Sequence, residues 1–272
     1  MILDYNSVVE LVYSARSIAL RPFSSMVVSE KQANDFVTNI DLDINNYLKK
    51  ELNQLYPYIG FLTEEEPGQL SSTCFILDPI DGTTNLIRDY RMSSISLALY
   101  HEGEAVFGVV FNPFNKEMFF AIKGKGAYCF DTSFGIGKLL KIGVSNYQQS
   151  PLSCSKREAP QSLLEFGAGS SNKENADANF ALAKSIFLEC LDIRRVASTA
   201  LTICYIAAGR LDGYFERIIK PWDYAAASII LAEAGGKSTD WSGAPLPFSK
   251  PGTIISSNGV IHDFLLKKVA LA

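Results

Sequence analysis

Two carboxylates, Asp78 and Asp81, stand three residues apart where a short apolar run ends. Pro79 fixes its own φ angle and stiffens the chain between them. Gly82 removes a side chain where the backbone could approach a ligand, and Thr83 can cap a following helix whose free N–H groups would face an anion. Oxygen ligands of this kind suit Mg²⁺. The segment therefore predicts a cation site beside a phosphate seat, although a turn that merely ends a strand, with two capping aspartates, is the plain alternative.

Two further acidic segments could complete such a site. Glu64, Glu65 and Glu66 follow an apolar run and precede the strand that leads to Asp78. Asp223 opens an apolar helix that should be buried. Each also has an ordinary explanation, because a run of acids is usually a solvated loop and an acid in the first turn of a helix interacts favourably with the helix dipole. Taken together, the segments favour a cluster of carboxylates.

In combination, the acidic segments resemble the signature of the inositol monophosphatase superfamily, a group of lithium-sensitive, Mg²⁺-dependent phosphatases. That signature places an aspartate, a Glu-Glu pair, an Asp-Pro-(Ile/Leu)-Asp-Gly-Thr segment and a Trp-Asp-x-Ala segment in this order. The sequence carries them as Asp41, Glu64-Glu65, Asp78-Pro79-Ile80-Asp81-Gly82-Thr83 and Trp222-Asp223-Tyr224-Ala225. Because the order and spacing match over nearly the whole chain, the resemblance is specific.

The resemblance implies a set of metal ligands. Glu64, Asp78 and the carbonyl of Ile80 would hold a first Mg²⁺. Asp78, Asp81 and Asp223 would hold a second, so that Asp78 bridges the two ions. The resemblance implies about two or three Mg²⁺ ions per site, and a pair of cations can hold the attacking and leaving oxygens of an in-line displacement.

The resemblance also implies catalytic and phosphate-binding groups. Thr83, paired with Asp41, would orient and deprotonate the attacking water, and Glu64 would be the third catalytic residue. The N–H groups of Gly82 and Thr83 would hold the phosphate. Glu65 would lie behind the metal ligands and not bind an ion directly. Hydrolysis by metal-activated water then needs neither a histidine base nor a covalent phospho-enzyme.

The side chains that would face the alcohol part of a substrate follow later in the chain. Glu216 lies seven residues before Asp223, where the family places an acid that binds a substrate hydroxyl. It suggests a polyol or sugar, and an exposed glutamate at a strand end is the alternative. Ala197, Ser198 and Thr199 align with a Gly-Thr-Ala-like trio of inositol-type members, and the missing glycine changes the expected shape of the alcohol pocket.

Four cationic residues near these positions could read a second phosphate or a carboxylate, or could be surface charges. They are Arg194, Arg195, Arg217 and Lys220. At least two of them are expected on the surface, where charged side chains are usually found.

The substrate class that these features favour is a phosphate monoester of a small polyol or sugar. Within the family, the alternatives are fructose 1,6-bisphosphate, histidinol phosphate and 3′-phosphoadenosine 5′-phosphate, although the chain is short for the nucleotide-directed branch. Two alternatives are not enzymes: a sensor of phosphorylated metabolites on the same fold, and an oligomeric scaffold that binds structural Ca²⁺. The intact acidic positions favour the enzyme over the sensor.

Composition bears on partners and compartment. The 272-residue chain has 47% hydrophobic and 20% charged residues, as globular domains do, and a net charge of −4. A negative net charge disfavours nucleic acid as the main partner. The sequence contains no run of about 18 apolar residues, so no membrane-spanning helix is predicted. The five cysteines form no Cys-x-x-Cys pair and there are two histidines, so a zinc site is not expected. The acidic N-terminus and unpaired cysteines indicate a cytoplasmic protein.

The elements that must position these residues alternate between helices and strands. Apolar periodicity predicts helices at 8–19, after Asp41, and at 176–189, 198–208 and 223–234. Strands are predicted at 74–77, 192–196, 213–216 and 253–257, with an antiparallel meander of strands at 93–100, 105–111 and 117–122 and a short strand after Gly126.

Helices alternating with sheets predict an α+β or α/β fold. A Gly-, Ser-, Gln- and Pro-rich stretch, 134–160, suggests a boundary between two halves that form one catalytic unit. The N-terminal half, 1–140, carries the Glu-Glu and DPIDGT motifs, and the C-terminal half, 141–272, carries the WDYAA segment and the substrate-side residues. The resemblance implies a layered αβαβα sandwich of the sugar-phosphatase type, and usually a homodimer.

Overall fold

The computed structural model describes residues 3–136, 151–169 and 173–271. The helices in these ranges are α1 (Tyr5–Ser14), α2 (Arg16–Ala19), α3 (Asn39–Leu55), α4 (Thr83–Ile87), α5 (Ala176–Phe187), α6 (Thr199–Ala207), α7 (Pro221–Glu233) and α8 (His262–Val269). The strands are β1 (Val28–Gln32), β2 (Asp35–Thr38), β3 (Gly60–Thr63), β4 (Thr73–Asp81), β5 (Ser94–His101), β6 (Glu104–Asn112), β7 (Glu117–Ile122), β8 (Ala127–Asp131), β9 (Leu163–Phe166), β10 (Asp192–Arg194), β11 (Gly213–Ile219), β12 (Lys237–Thr239) and β13 (Gly252–Ser257).

The larger sheet contains β3 to β8 side by side in chain order. β3 and β4 are parallel, and the later neighbours are antiparallel. The predicted meander is confirmed as β5 to β8. Its first turn consists of Glu102 and Gly103, which have φ angles of 46° and 103°. Positive φ at both central residues is typical of the tight hairpin turns that match strand twist.

The second sheet has the order β10-β9-β11-β13-β12. β9 is parallel to both β10 and β11, whereas β13 is antiparallel to β11 and β12. The sequence did not predict β9, β12 or the β1–β2 hairpin. β9 and β12 are four and three residues long, and β1 is exposed along its whole length, so none shows the alternation that identifies a strand.

The two sheets and the helices form five layers. One apolar core joins α1 and α3 to one face of the larger sheet. A second core places α6 and α7 between the two sheets, and a third joins α5 and α8 to the far face of the smaller sheet. The αβαβα sandwich is therefore confirmed.

Helix α7 lies very close to the larger sheet. A Cβ atom at Gly108 of β6 would lie 2.3 Å from the carbonyl oxygen of Ala226 in α7. Glycine at this position lets the backbone of the helix approach the strand. The helix in turn has only small side chains at the fully buried Ala225, Ala226 and Ala227. This close packing fixes the start of α7, where Asp223 lies.

Some predicted boundaries differ from the structure. The predicted helix 8–19 is divided at Ala15 into α1 and α2. Helix α3 begins at Asn39, before Asp41, because Thr38 and Asp41 form a capping box that was not recognised in the sequence. The proposed boundary between the halves at residue 140 falls outside the described residues and stays a prediction. Within the described ranges, no helix is long and apolar enough to cross a membrane.

Candidate active site

A cavity of about 240 Å³ lies where β4 and the first residues of α4, α6 and α7 meet. Most of the predicted site residues line it: Glu64, Asp78, Ile80, Asp81, Gly82, Thr83, Ala197, Ser198, Thr199, Glu216 and Asp223. Asp41 and Glu65 are not part of the lining. The structure thus brings segments from both halves of the chain to one cavity.

Strand β4 carries both aspartates of the DPIDGT segment. The expectation that the strand ends at Leu77 was wrong, because β4 continues to Asp81. Asp78 pairs with Ser96 and Asp81 with Ser94, so the β4 side contains one extra residue between the two pairs. A bulge of this kind accommodates a proline, which cannot donate to the strand ladder. It also explains how two carboxylates three positions apart can both lie on the cavity.

Gly82 is required by the backbone. Its φ angle is 90°, and a Cβ atom here would lie 3.1 Å from the carbonyl oxygen of Met92 and 3.2 Å from that of Ala197. It is the N-cap residue of α4, which corrects the expectation that a threonine caps this helix. The N–H groups at the start of α4 lie at the cavity wall.

The acidic side chains strongly influence one another. Burial, together with the charges of Glu64, Asp81 and Asp223, raises the pKa of Asp78 well above its usual value. Burial and the charges of Glu64 and Asp81 likewise raise the pKa of Asp223. Burial raises the pKa of Asp81 to about 6, although a hydrogen bond from Ser198 opposes the rise. Several carboxylates are thus held where their charges repel.

This donor set fits a hard divalent cation. It consists of oxygen atoms only, which is the preference of Mg²⁺. In the ranges that the structure describes, no three His, Cys, Asp or Glu side chains are already close enough together to hold an ion. The repulsion that raises the pKa of Asp78 and Asp223 is nevertheless the kind that a cation relieves.

Thr83 and Asp41 are in direct contact. Oγ1 of Thr83 lies 2.9 Å from Oδ1 of Asp41 and 3.1 Å from the carbonyl oxygen of Ile80. The other oxygen of Asp41 accepts hydrogen bonds from the backbone N–H and the hydroxyl of Thr38. Asp41 is 1% exposed, and burial raises its pKa. The capping box of α3 therefore fixes a buried carboxylate behind the Thr83 hydroxyl.

The β1–β2 hairpin brings a lysine to the glutamate pair. Nζ of Lys31 lies 2.8 Å from Oε1 of Glu65 and 3.3 Å from Oε1 of Glu64. Burial and the ion pair act in opposite directions on the pKa of Glu65, and burial prevails, so this pKa is raised. Lys31 was not predicted, since neither strand of the hairpin was recognised in the sequence.

Asp81 receives donors from the start of α6. Its Oδ2 accepts from the Ser198 hydroxyl at 2.5 Å and from the N–H of Ala200 at 2.9 Å. Its Oδ1 accepts from the N–H of Thr199 at 3.1 Å. Ser198 and Thr199, two members of the trio that was predicted to face the alcohol, thus also orient a predicted metal ligand.

Comparison of the sequence with known proteins identifies relatives of the chain. Residues 5–271 match the sequence profile of the Inositol monophosphatase family. The chain belongs to this family. The Nus factor SuhB of Pasteurella multocida is 32% identical over 240 residues, which cover 87% of this chain and 84% of that protein.

Solved structures of the family have the same fold. The extragenic suppressor protein suhB of Bartonella henselae superposes with a TM-score of 0.84 at 29% identity and covers 97% of both chains. The IMPase of Thermotoga maritima superposes with a TM-score of 0.82 at 28% identity, covering 97% of this chain and 95% of that one.

Two residues that sequence reasoning missed hold the turn before α6. Oε1 of Glu165 accepts from the N–H of Val196 at 2.6 Å and from that of Ala197 at 3.2 Å. From the opposite half, Nδ2 of Asn85 donates to the carbonyl oxygens of Val196, at 2.8 Å, and Ala197. Ala197 has a φ angle of 63°, so this member of the Inositol monophosphatase family keeps a left-handed turn without the glycine. The available signal was a single acid inside the apolar run of β9.

Glu216 lines the same cavity as the DPIDGT segment and is fixed by its neighbours. Its Oε2 accepts a 2.5 Å hydrogen bond from the hydroxyl of Tyr214, whose oxygen is 3.0 Å from Oγ1 of Thr199. A Cβ atom at Gly167 would lie 2.1 Å from Cδ of Glu216, so glycine makes room for the carboxylate. Burial raises the pKa of Glu216 to about 7, although the hydrogen bond from Tyr214 opposes the rise. Gly167 and Tyr214 were not predicted.

The four cationic residues divide into two groups. Arg195 and Lys220 line the cavity. Arg194 forms an ion pair with Asp192. The guanidinium of Arg217 lies 4.6 Å from the ring centroid of Trp241, and its Nε donates to Asn179.

Proposed function

We propose that the protein is a Mg²⁺-dependent phosphatase that hydrolyses the phosphate monoester of a small polyol or sugar. Family membership supports a phosphatase acting on a phosphorylated small molecule. The observation that carries the proposal is the cluster of repelling carboxylates in the cavity, together with the Thr83–Asp41 pair and with Glu216 in the same lining.

The carboxylates would hold the ions. Glu64, Asp78 and the carbonyl of Ile80 form the proposed first site. Asp78, Asp81 and Asp223 form the proposed second site. When bound, Mg²⁺ would lower the pKa of a water molecule and offset the negative charge of the phosphate. The contacts of Asp81 with the start of α6 would keep this ligand in position during turnover.

The protein groups next to the phosphate would position the water and take its proton. Since the Thr83 hydroxyl donates to Oδ1 of Asp41, its free lone pair can accept a hydrogen bond from the attacking water. The raised pKa of Asp41 suits a group that must receive a proton through Thr83. The N–H groups of Gly82 and Thr83 would bind the phosphate oxygens, and Glu65 would support Glu64 from behind.

Glu216 and the residues around it would bind the alcohol. The carboxylate of Glu216 can accept a hydrogen bond from a substrate hydroxyl, and Tyr214 holds it in place. Ala197, Ser198 and Thr199 line the same space. Fructose 1,6-bisphosphatase, histidinol-phosphate phosphatase and 3′-phosphoadenosine 5′-phosphate phosphatase remain the enzymatic alternatives, and a phosphometabolite sensor the non-enzymatic one.

A phosphate-release screen tests the proposal. The four substrate types would be compared with Mg²⁺ and with Ca²⁺. Release with Mg²⁺ alone supports the enzyme, whereas binding of a phosphorylated compound without release by the wild-type protein would indicate the sensor. Asp78→Asn and Asp223→Asn should each abolish release while the far-ultraviolet circular dichroism is retained. Near-normal release by either variant would contradict the proposed metal ligands.

Three further expectations stay predictions, the first two from the resemblance and the third from the acidic N-terminus and the unpaired cysteines. Millimolar Li⁺ should inhibit phosphate release, size-exclusion chromatography should show a homodimer, and the protein should be found in the cytoplasm. The absence of a nucleic-acid partner also stays a prediction, and direct binding measurements with RNA would test it.

A further inference from the structure

Three neighbouring parallel strands bring residues to the cavity. In the smaller sheet β9 lies between β10 and β11, and the three run in the same direction. Ligands of α/β proteins are commonly bound beyond the carboxyl ends of such strands. Arg195 follows β10, Gly167 follows β9, and Glu216 lies beside Gly167 in β11, and all three line the cavity.

Arg195 differs from the arginine before it. The guanidinium of Arg194 forms an ion pair with Asp192 and donates to the carbonyl of Ile193, whereas that of Arg195 forms no hydrogen bond or ion pair with any residue that the structure describes. The backbone that follows Arg195 is fixed, because Glu165 accepts hydrogen bonds from the N–H groups of Val196 and Ala197. A rigid turn therefore presents an unpaired cation at the cavity.

The surroundings of Arg195 are otherwise acidic. Among the residues that the structure describes, the lining of the cavity contains seven acids, Asp35, Glu64, Asp78, Asp81, Glu165, Glu216 and Asp223, and two cations, Arg195 and Lys220. Lys220 directly precedes α7 and Asp223, and its ammonium lies 5.6 Å from the ring centroid of Trp222. The positive charge of Arg195 opposes the rise in the pKa of both Glu216 and Glu165 that burial causes.

We propose that Arg195 binds a second anionic group on the alcohol part of the substrate. The preferred substrates are then phosphate monoesters whose alcohol carries a carboxylate or a further phosphate, and whose hydroxyl is bound by Glu216. A guanidinium binds both anions through paired N–H donors. A simple polyol would leave Arg195 without a partner, and an alcohol with an ammonium group would be repelled by it. This inference rests on the proposed function, because it concerns the leaving alcohol of that reaction.

Three sugars that differ only at C6 test the inference: glucose 1-phosphate, glucose 1,6-bisphosphate and glucuronic acid 1-phosphate. Initial rates of phosphate release with Mg²⁺ would be measured for the wild-type protein, Arg195→Gln and the control Arg194→Gln. The wild type should show a kcat/KM at least about tenfold higher for one or both of the sugars with a second anionic group than for glucose 1-phosphate. At about pH 9, well above the pKa of Glu216, Arg195→Gln should remove this preference mainly through KM and should leave glucose 1-phosphate within about twofold. Arg194→Gln should change none of the three.

The same data show whether Arg195 prefers a second phosphate or a carboxylate. A preference for the bisphosphate alone assigns a second phosphate, and a preference for the uronic acid alone assigns a carboxylate. Equal loss for all three sugars in Arg195→Gln, or the same loss in Arg194→Gln, would overturn the role of Arg195. Hydrolysis of glucose 1-phosphate or 4-nitrophenyl phosphate without any gain from a second anion would overturn this inference and leave the proposed function standing. No release from any phosphate ester would remove both.

Discussion

The hydroxyl of Ser198 lies 2.5 Å from Oδ2 of Asp81, although the two residues are 117 positions apart in the chain. Asp81 ends β4 of the larger sheet, and Ser198 is the N-cap residue of α6, which lies between the two sheets. The relationship joins the DPIDGT segment to the segment that lines the alcohol side of the cavity. The position of Asp81, a predicted metal ligand, and that of Ser198, a predicted substrate-binding residue, therefore depend on each other.

Substitution of Ser198 should weaken the response to Mg²⁺. In Ser198→Ala, Asp81 keeps the N–H groups of Thr199 and Ala200 but loses its shortest hydrogen bond, which is worth about 1 kcal/mol in a buried site. We expect the Mg²⁺ concentration for half-maximal phosphate release to rise several-fold. Ser94→Ala is the matched control, since its hydroxyl is 3.3 Å from the same oxygen. An equal effect of both substitutions would show that the Ser198 contact is not special.

Replacement of Asp41 should affect the chemical step and spare ion binding. Asp41→Asn keeps the size of the side chain next to Thr83 but cannot take up a proton, and loss of such a group usually costs 10²–10⁴-fold in rate. We expect kcat to fall by roughly this factor while the Mg²⁺ dependence stays within about threefold. Single-turnover phosphate release at several Mg²⁺ concentrations measures both quantities. A large shift in Mg²⁺ dependence with an unchanged maximal rate would contradict a role in proton transfer.

The sequence predicted the parts of the site that lie within one segment. The carboxylates of the DPIDGT segment, Asp223 and Asp41 could be found because each motif is contiguous and their order matches a family. The continuation of β4 through Pro79 could not, since it depends on a bulge in the pairing with β5. Contacts such as Glu165 with Val196 depend on which strands become neighbours in the second sheet, and β9 was too short to be recognised. The order of the helix and sheet layers could be inferred from the family resemblance, whereas the register between paired strands could not.

Tyr214 should set the pH range of substrate binding through Glu216. Burial raises the pKa of Glu216 to about 7, and the Tyr214 hydroxyl opposes the rise by donating to the carboxylate. The ionised form predominates above this pKa, so binding through the carboxylate should weaken as the pH falls through about 7. Tyr214→Phe removes the donor and should move this fall to higher pH, with an increase in KM at pH 7 and a smaller change in kcat. Profiles of kcat/KM between pH 5.5 and about 9 measure the shift.

Glu216→Gln provides the control for that assignment. Its amide does not titrate, so the inflection near neutral pH should disappear from the kcat/KM profile. If the inflection persists in Glu216→Gln, it belongs to another group. A Tyr214→Phe profile that coincides with the wild type would show that the hydrogen bond does not tune Glu216.

His262 should make the fold less stable in mild acid, independently of the active site. Its ring is 1% exposed and lies between the hydroxyls of Thr239 and Ser257, at 2.9 Å from each. Burial lowers its pKa to about 4, compared with about 6.5 in an unfolded chain. Between these two values the unfolded state binds a proton that the folded state does not, so the free energy of unfolding falls as the pH decreases from about 6.5 towards 4. Above pH 6.5 this contribution is constant.

The test compares the wild type with His262→Gln, whose amide can bond to the same hydroxyls without titrating. Carboxylates with raised pKa values, such as Asp78, act in the opposite direction, because the folded state binds their protons more readily than the unfolded state does. These carboxylates are present in both proteins, so their contributions cancel in the difference between the two free energies of unfolding. Urea unfolding at pH 7.5, 6 and 5 should therefore show the wild type losing up to about 1.4 kcal/mol per pH unit relative to His262→Gln below pH 6.5. A difference that does not vary with pH would mean that the buried ring is protonated in the folded state as readily as in the unfolded one.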